Sequence, residues 1–218
     1  MNTRNLVIAT LIVAALAFIG GTLYVKAETQ QVATQAVQGH QQALERPHAP
    51  VFGNATAPVT IVEFFDPACE TCRAFCPIVK DILRANFGAV RLVLRYAPLH
   101  QGSDIAIQIL EAARLQNLYE PALEKVLESQ PLWADHGGPQ PERIWDQLQG
   151  IGLDIPRAKA AMQDAAIRQT LEQDIADMAT LKVQRTPSFF VNGTPLTRFG
   201  ADELRSLVSA ELARAKQP

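Results

Sequence analysis

Hydrophobic and polar positions change their rhythm twice along this chain. From Leu6 to Val25 there are 20 residues without a charge, flanked by Arg4 and Lys26. About 20 apolar residues span a bilayer as a helix. The basic start also suits a secretory signal, with Val25-Lys26-Ala27 as its cleavage region. The run is longer than the roughly 7–15 apolar residues of such a signal, so an uncleaved transmembrane anchor over residues 6–25 is the leading expectation, and a cleaved signal within 1–27 is the second. Either one carries the rest of the chain across a membrane. Residues 28–49 repeat Gln with little bulky apolar content before Pro47 and Pro50, and read as a spacer.

The second change comes near residue 50. Val59 to Phe65 is β-branched and aromatic between Pro58 and Asp66-Pro67, the pattern of a largely buried strand that needs cover on both faces. A helix is predicted over 69–86 and a second strand over Val90 to Tyr96, giving a β-α-β unit. Between residues 103 and 181 the period becomes helical. Ser103 is placed to cap one helix, Pro121 sits near the start of another, and a third runs from Glu142 to Leu148. Asp154 and Pro156 then open a single long Ala-rich helix through Ile167, Leu171, Ile175 and Met178. Ser188 to Val191 is a short strand, Asn192-Gly193 is a hairpin turn returning through Thr194 to Thr197, and an amphipathic helix runs from Asp202 to Ala215. The sum is an α/β domain over 50–218 with a helical bundle inserted at about 103–181. No internal repeat is visible.

Composition narrows the function classes. With 48% hydrophobic residues, 19% charged and a net charge of −2, the chain is neither disordered nor a basic nucleic-acid binder. No Gly-rich phosphate loop or hydrolase triad stands out, and no organic cofactor is implied.

The chemistry gathers in the cysteines. All three lie within eight residues: Cys69-Glu70-Thr71-Cys72, then Cys76. In a C-x-x-C between a strand and a helix, the first thiol meets unpaired backbone N–H groups and the positive end of the helix dipole, which favour its thiolate. Two sulfurs this close form a reversible disulfide, one attacking a substrate disulfide and the other completing the exchange. Other readings stay open. The motif could be half of a zinc site, although His40, His48, His100 and His136 are far apart in sequence, or a soft Cu(I) site for metal binding or delivery. A static disulfide closing so short a loop would stabilise little. Cys76, four residues after Cys72 on the same helix face, is either a small apolar filler or a third redox thiol.

The residues from Val59 through Cys72 with Pro77, taken with Thr186-Pro187-Ser188-Phe189-Phe190-Val191-Asn192-Gly193, resemble the active-site strand and helix and the cis-proline loop of the thioredoxin superfamily. With the helical insertion and the exported location, residues 50 to 215 are similar to the DsbA-like thiol:disulfide oxidoreductases. The resemblance implies that Cys69 is the nucleophile, Cys72 the buried resolving thiol, and Pro187 a cis proline beside them. It implies that Thr186 presents backbone groups to an extended substrate segment, and that Glu63 is a buried acid exchanging the Cys72 proton. Arg95 is a possible partner of Glu63, and an exposed Glu63 is the alternative. Pro77 is expected to bend the helix.

Two departures from the relatives set the expected redox direction. Glu70-Thr71 stands where strongly oxidising relatives carry Pro-His, and the Glu70 charge opposes the Cys69 thiolate, so the disulfide is expected to be less oxidising. Arg185, where a small residue is common, either reaches the site, to pair with Glu70 or stabilise the Cys69 thiolate, or lies in solvent. The implied partners are cysteine-containing exported proteins and a membrane redox partner, DsbB-like for an oxidase or DsbD-like for a reductase or isomerase. The implied location is the periplasm or the extracytoplasmic face of the inner membrane.

Overall fold

Seven consecutive buried residues, Val59–Phe65, form the central strand β2 of a five-stranded sheet. The computed structural model describes residues 41–216 together with Phe18, Gly21 and Tyr24. The expected anchor over 6–25 and the spacer before residue 41 otherwise lie outside the described residues. Among the described residues no helix is long and apolar enough to cross a membrane.

β1 (Val51–Gly53), β3 (Val90–Tyr96), β4 (Ser188–Val191) and β5 (Thr194–Pro195) complete the sheet in the order β1-β3-β2-β4-β5. Only β2 and β3 are parallel, joined by the helix α2 (Glu70–Ala85). Successive side chains on a strand point to opposite faces, and the sheet accordingly divides two cores. Val59, Ile61 and Phe65 join Leu92 and Leu94 under α2 and the helical insertion, whereas Val62, Phe64 and Val93 pack with Met178, Leu181 and Phe190 on the other side. Asn192 and Gly193, at φ 46° and 82°, make the hairpin turn that the Asn-Gly pair calls for. The returning strand stops at Pro195, short of Thr197, although the Leu196 N–H still donates to the Phe189 carbonyl at 2.8 Å.

After the β2-α2-β3 unit come α3 (Ser103–Arg114), α4 (Tyr119–Glu128), α5 (Gln130–Trp133), a 3-10 turn (Pro141–Arg143) running into α6 (Ile144–Gln147), then α7 (Ile155–Ala161) and α8 (Ala165–Thr180). The helix α9 (Ala201–Ala215) closes the fold. The expected single helix after Asp154 is two. Asp154 caps α7 by accepting from the Arg157 N–H, but Asp164 accepts from the Ala166 N–H and starts α8 afresh. Residues 159–164 bury little apolar surface, so the cap wins there over helix continuation. Ser103 is not the cap of α3: Gly102, at φ 83°, holds that position, and the Ser103 hydroxyl donates to Asp66.

Two further departures come from the second core. A short helix α1 (Gln41–Leu44), read from sequence as spacer, packs there with Ala43 and Leu44 buried. Arg95 does not meet Glu63. Glu63 pairs in register with Leu94, which leaves Arg95 on the opposite face. There its guanidinium, fully buried, donates to Asp174 and Asp177 of α8 and to the carbonyls of Ala43 and Leu44. Arg46 and His48 reach the same two aspartates at 2.7 and 2.6 Å.

Candidate active site

Cys69 is the N-cap of α2, with extended backbone angles (φ −77°, ψ 118°), so its sulfur stands over the free N–H groups of the first turn. Cys72 lies one turn in and is fully buried, accepting from the Asp66 N–H at 3.5 Å. Both thiols are free. Across the cleft, the Thr186–Pro187 peptide is cis, and the Cys69 Sγ lies 3.4 Å from the Thr186 carbonyl oxygen. β4 pairs with β2, and this places residues 117 positions apart in contact.

The two sulfurs are driven apart electrostatically. The Cys72 thiol donates to Cys69 and, with help from the Thr186 hydroxyl and the backbone N–H groups of Cys72 and Thr71, outweighs burial to push the Cys69 thiol down to about 5. Burial first, then its bond to Cys69, pushes Cys72 strongly up. The Thr186 hydroxyl is buried and has no other hydrogen-bond partner among the described residues, which leaves it free to donate to a Cys69 thiolate. Under the pair, Glu63 is only 3% exposed and its carboxyl is pushed up to about 8, by burial and then by the Cys69 charge. A cavity of about 390 Å³ runs along α2, with Glu63, Cys72, Cys76 and Lys80 among its lining residues.

The tuning residues sit differently. Glu70 and Thr71 are exposed, and the His136 imidazole lies 3.9 Å from the Glu70 carboxylate. Arg185 is exposed and makes no ion pair among the described residues, so the Glu70–Arg185 pairing does not form. Cys76 is half-buried against the core rather than fully enclosed. Among the described residues no three His, Cys, Asp or Glu side chains converge to hold a metal ion.

Sequence reasoning missed two contributors. Gln130, 1% exposed in α5, donates through Nε2 to the carbonyls of Pro67 (2.7 Å) and Cys69 (3.0 Å), clamping the turn that carries the nucleophile. Asp66 accepts from the N–H groups of Ala68, Leu99 and His100 and from Ser103, and its carboxylate meets His100 Nδ1 at 2.7 Å. This ties the same turn to the start of the insertion. A glutamine inside a helical run and an aspartate read as a strand stop carried no signal of these roles.

Comparison with known proteins bears on this geometry. The thioredoxin family model, Thioredoxin_4, matches residues 45–210. A thioredoxin-like oxidoreductase from Silicibacter pomeroyi superposes with a TM-score of 0.69 at 30% identity, covering 82% of this chain and 99% of its own. Disulfide bond formation protein D of Bacillus subtilis is 24% identical over 179 residues, 75% of this chain and 77% of its length. The Na(+)/H(+) antiporter NhaA of Herminiimonas arsenicoxydans is 32% identical over 145 residues, 66% of this chain. That match spans only 22% of the antiporter, so the chain covers about a fifth of the first of its curated relatives.

Proposed function

The chain belongs to the thioredoxin family as a DsbA-like member, and from that premise we propose that it is an extracytoplasmic thiol:disulfide oxidoreductase acting on cysteines of other proteins. The observation that carries this is the Cys69 sulfur at the helix N-terminus, 3.4 Å from the Thr186 carbonyl and pushed down to about 5. Cys69 is the nucleophile. Its thiolate attacks a substrate disulfide, the Thr186 backbone aligns the substrate segment, and Cys72 attacks the mixed disulfide to release the product. Cys72 must first lose its proton, and Glu63 in the adjoining cavity is the base placed to take it. Pro187 holds the substrate side of the cleft. Residues 6–25 anchor the domain, residues 28–40 hold it off the bilayer, and a membrane redox partner, DsbB-like or DsbD-like, recycles the pair.

Glu70, Thr71 and Arg185 tune the direction of exchange from the exposed rim. Thioredoxin's thiol titrates at about 7 and that of DsbA at about 3.5, so a value of about 5 for Cys69 lies between them. Their potentials are about −270 and −120 mV, and this pair is expected to lie between them, less oxidising than DsbA. Equilibration with glutathione buffers measures it. A potential near about −120 mV would overturn the reading of a weaker oxidant. Failure of the Cys72→Ser variant to trap mixed disulfides with reduced-and-reoxidised client proteins would overturn the exchange activity itself.

A further inference from the structure

Cys69, Cys72 and Cys76 occupy positions i, i+3 and i+7 from the N-cap of α2, which stacks them along one helix face. The inner two thiols open onto the same cavity, of about 390 Å³. Glu63, almost wholly buried, faces that cavity and makes no hydrogen bond among the described residues. Lys80 and Glu120 lie at the cavity wall, and Lys80 pairs with Glu124, so the charged groups facing Cys76 are Glu63, Lys80, Glu120 and Glu124. A filler residue needs neither a route for a proton nor a second thiol within its cavity.

We propose that Cys76 is a third redox thiol, which attacks Cys72 in the oxidised protein and moves the disulfide inward, from Cys69–Cys72 to Cys72–Cys76. The step rests on the Cys69–Cys72 redox pair and is an isomerisation that needs no outside oxidant. The Cys76 thiol gives its proton to the Glu63 carboxylate or to water in the cavity, and the Cys76–Cys72 S–S bond forms. The Cys72–Cys69 bond breaks, and its electron pair leaves on Cys69. Two sulfurs remain oxidised and one remains reduced. The leaving sulfur is the one whose negative charge the helix N-terminus, backbone N–H groups and Thr186 hydroxyl already favour, and a more acidic thiol leaves faster.

The helix must tighten for this. Cβ atoms four residues apart lie about 5–6 Å apart, whereas a disulfide brings them to about 3.5–4.5 Å. Pro77 sits inside α2 and has no N–H for the Arg73 carbonyl, which frees the turn holding Cys72 and Cys76. The outcome is an oxidised molecule that still presents a nucleophilic Cys69 to substrate disulfides.

The chain's own sequence provides the readout. Trypsin cuts after Arg73, leaving Cys69 and Cys72 on one peptide and Cys76 on the next. A Cys69–Cys72 disulfide is therefore a loop within one peptide, and a Cys72–Cys76 disulfide joins two. The full chain is oxidised with diamide, freed of the reagent, treated with iodoacetamide at mildly alkaline pH and mapped by mass spectrometry. Cys69 is expected to take the larger share of the label, with the two peptides cross-linked. Label confined to Cys76, with the Cys69–Cys72 loop intact, overturns the proposal. Cys76→Ser is expected to take up no label after oxidation. If it instead keeps two free thiols, the Cys69–Cys72 pair does not form, and the proposed exchange activity falls together with this relay.

Discussion

Burial acts on the acids of this site with opposite outcomes, because only at Cys69 do the donors outweigh it. Cys69 is pushed from its ordinary 9.0 to about 5, and Glu63 from 4.5 to about 8. For a group held low, the stabilisation is complete above pH 9.0 and is lost as pH falls through about 5. The reduced protein therefore gains on the oxidised one as pH rises across that window. For Glu63, held high, the contribution is present below pH 4.5 and lost as pH rises through about 8. Glu63→Gln removes that loss. It should raise the stability of the reduced protein above pH 8, by on the order of a few kcal/mol, and leave it little changed near pH 4.5. The same variant should slow release of mixed disulfides, since Cys72 loses its base. Thermal melts at several pH values check the first effect and stopped-flow exchange the second, and equal stability gains at acid and alkaline pH would refute the ionisation argument. The two cysteines were legible because spacing alone places both at a helix start. The depth of Glu63 needed the family resemblance, since a lone acid on an apolar strand reads equally well as exposed.

Single elements decide whether those residues meet. Strand parity put Glu63 and Arg95 on opposite faces, and no sequence pattern without the β2–β3 register could have separated them. Arg95 instead joins β3, α1 and α8 through Asp174 and Asp177, partners 79 and 82 residues away. Such distant pairings leave no trace in local periodicity. The short helix α5 makes the same point for function. Its Gln130 fastens the Pro67 and Cys69 carbonyls and so fixes the cysteine turn against the insertion. Gln130→Leu keeps the volume and removes both bonds, leaving the Pro67 carbonyl without its donor at about 1–3 kcal/mol, while the Cys69 carbonyl keeps the Arg73 N–H. The turn should loosen, the Cys69 titration should rise from about 5 toward 9.0, and the disulfide should become less oxidising. Thiolate absorbance against pH reads the titration. A loss of stability with the titration unmoved would make Gln130 a packing residue only.

Across the whole molecule the sheet separates two tasks. The face under α2 carries the thiols and the cavity, and the other face carries α1 and the Arg95 cluster, where the chain enters the fold. Strand and helix periodicity made the catalytic face readable, whereas residues 41–49, polar and Gln-rich, carried no apolar period and passed for linker. In the fold, Leu44 is fully buried, Arg46 chelates Asp177 through Nε and Nη2 at 2.8 and 2.7 Å, and His48 meets Asp174. The folded unit therefore includes part of the tether. A chain starting at residue 50 should lose these contacts and leave Arg95 without the Ala43 and Leu44 carbonyls. It should unfold at a lower urea concentration than a chain starting at residue 41, by about 2–5 kcal/mol if the loss resembles a deleted buried leucine. Its Cys69 titration should remain at about 5, because the sheet lies between the deleted segment and the thiols. Urea melts of the two truncations, each paired with a thiolate titration, separate the effects. Equal midpoints would return residues 41–49 to the spacer, and a shifted titration would mean that the two faces are coupled through β3.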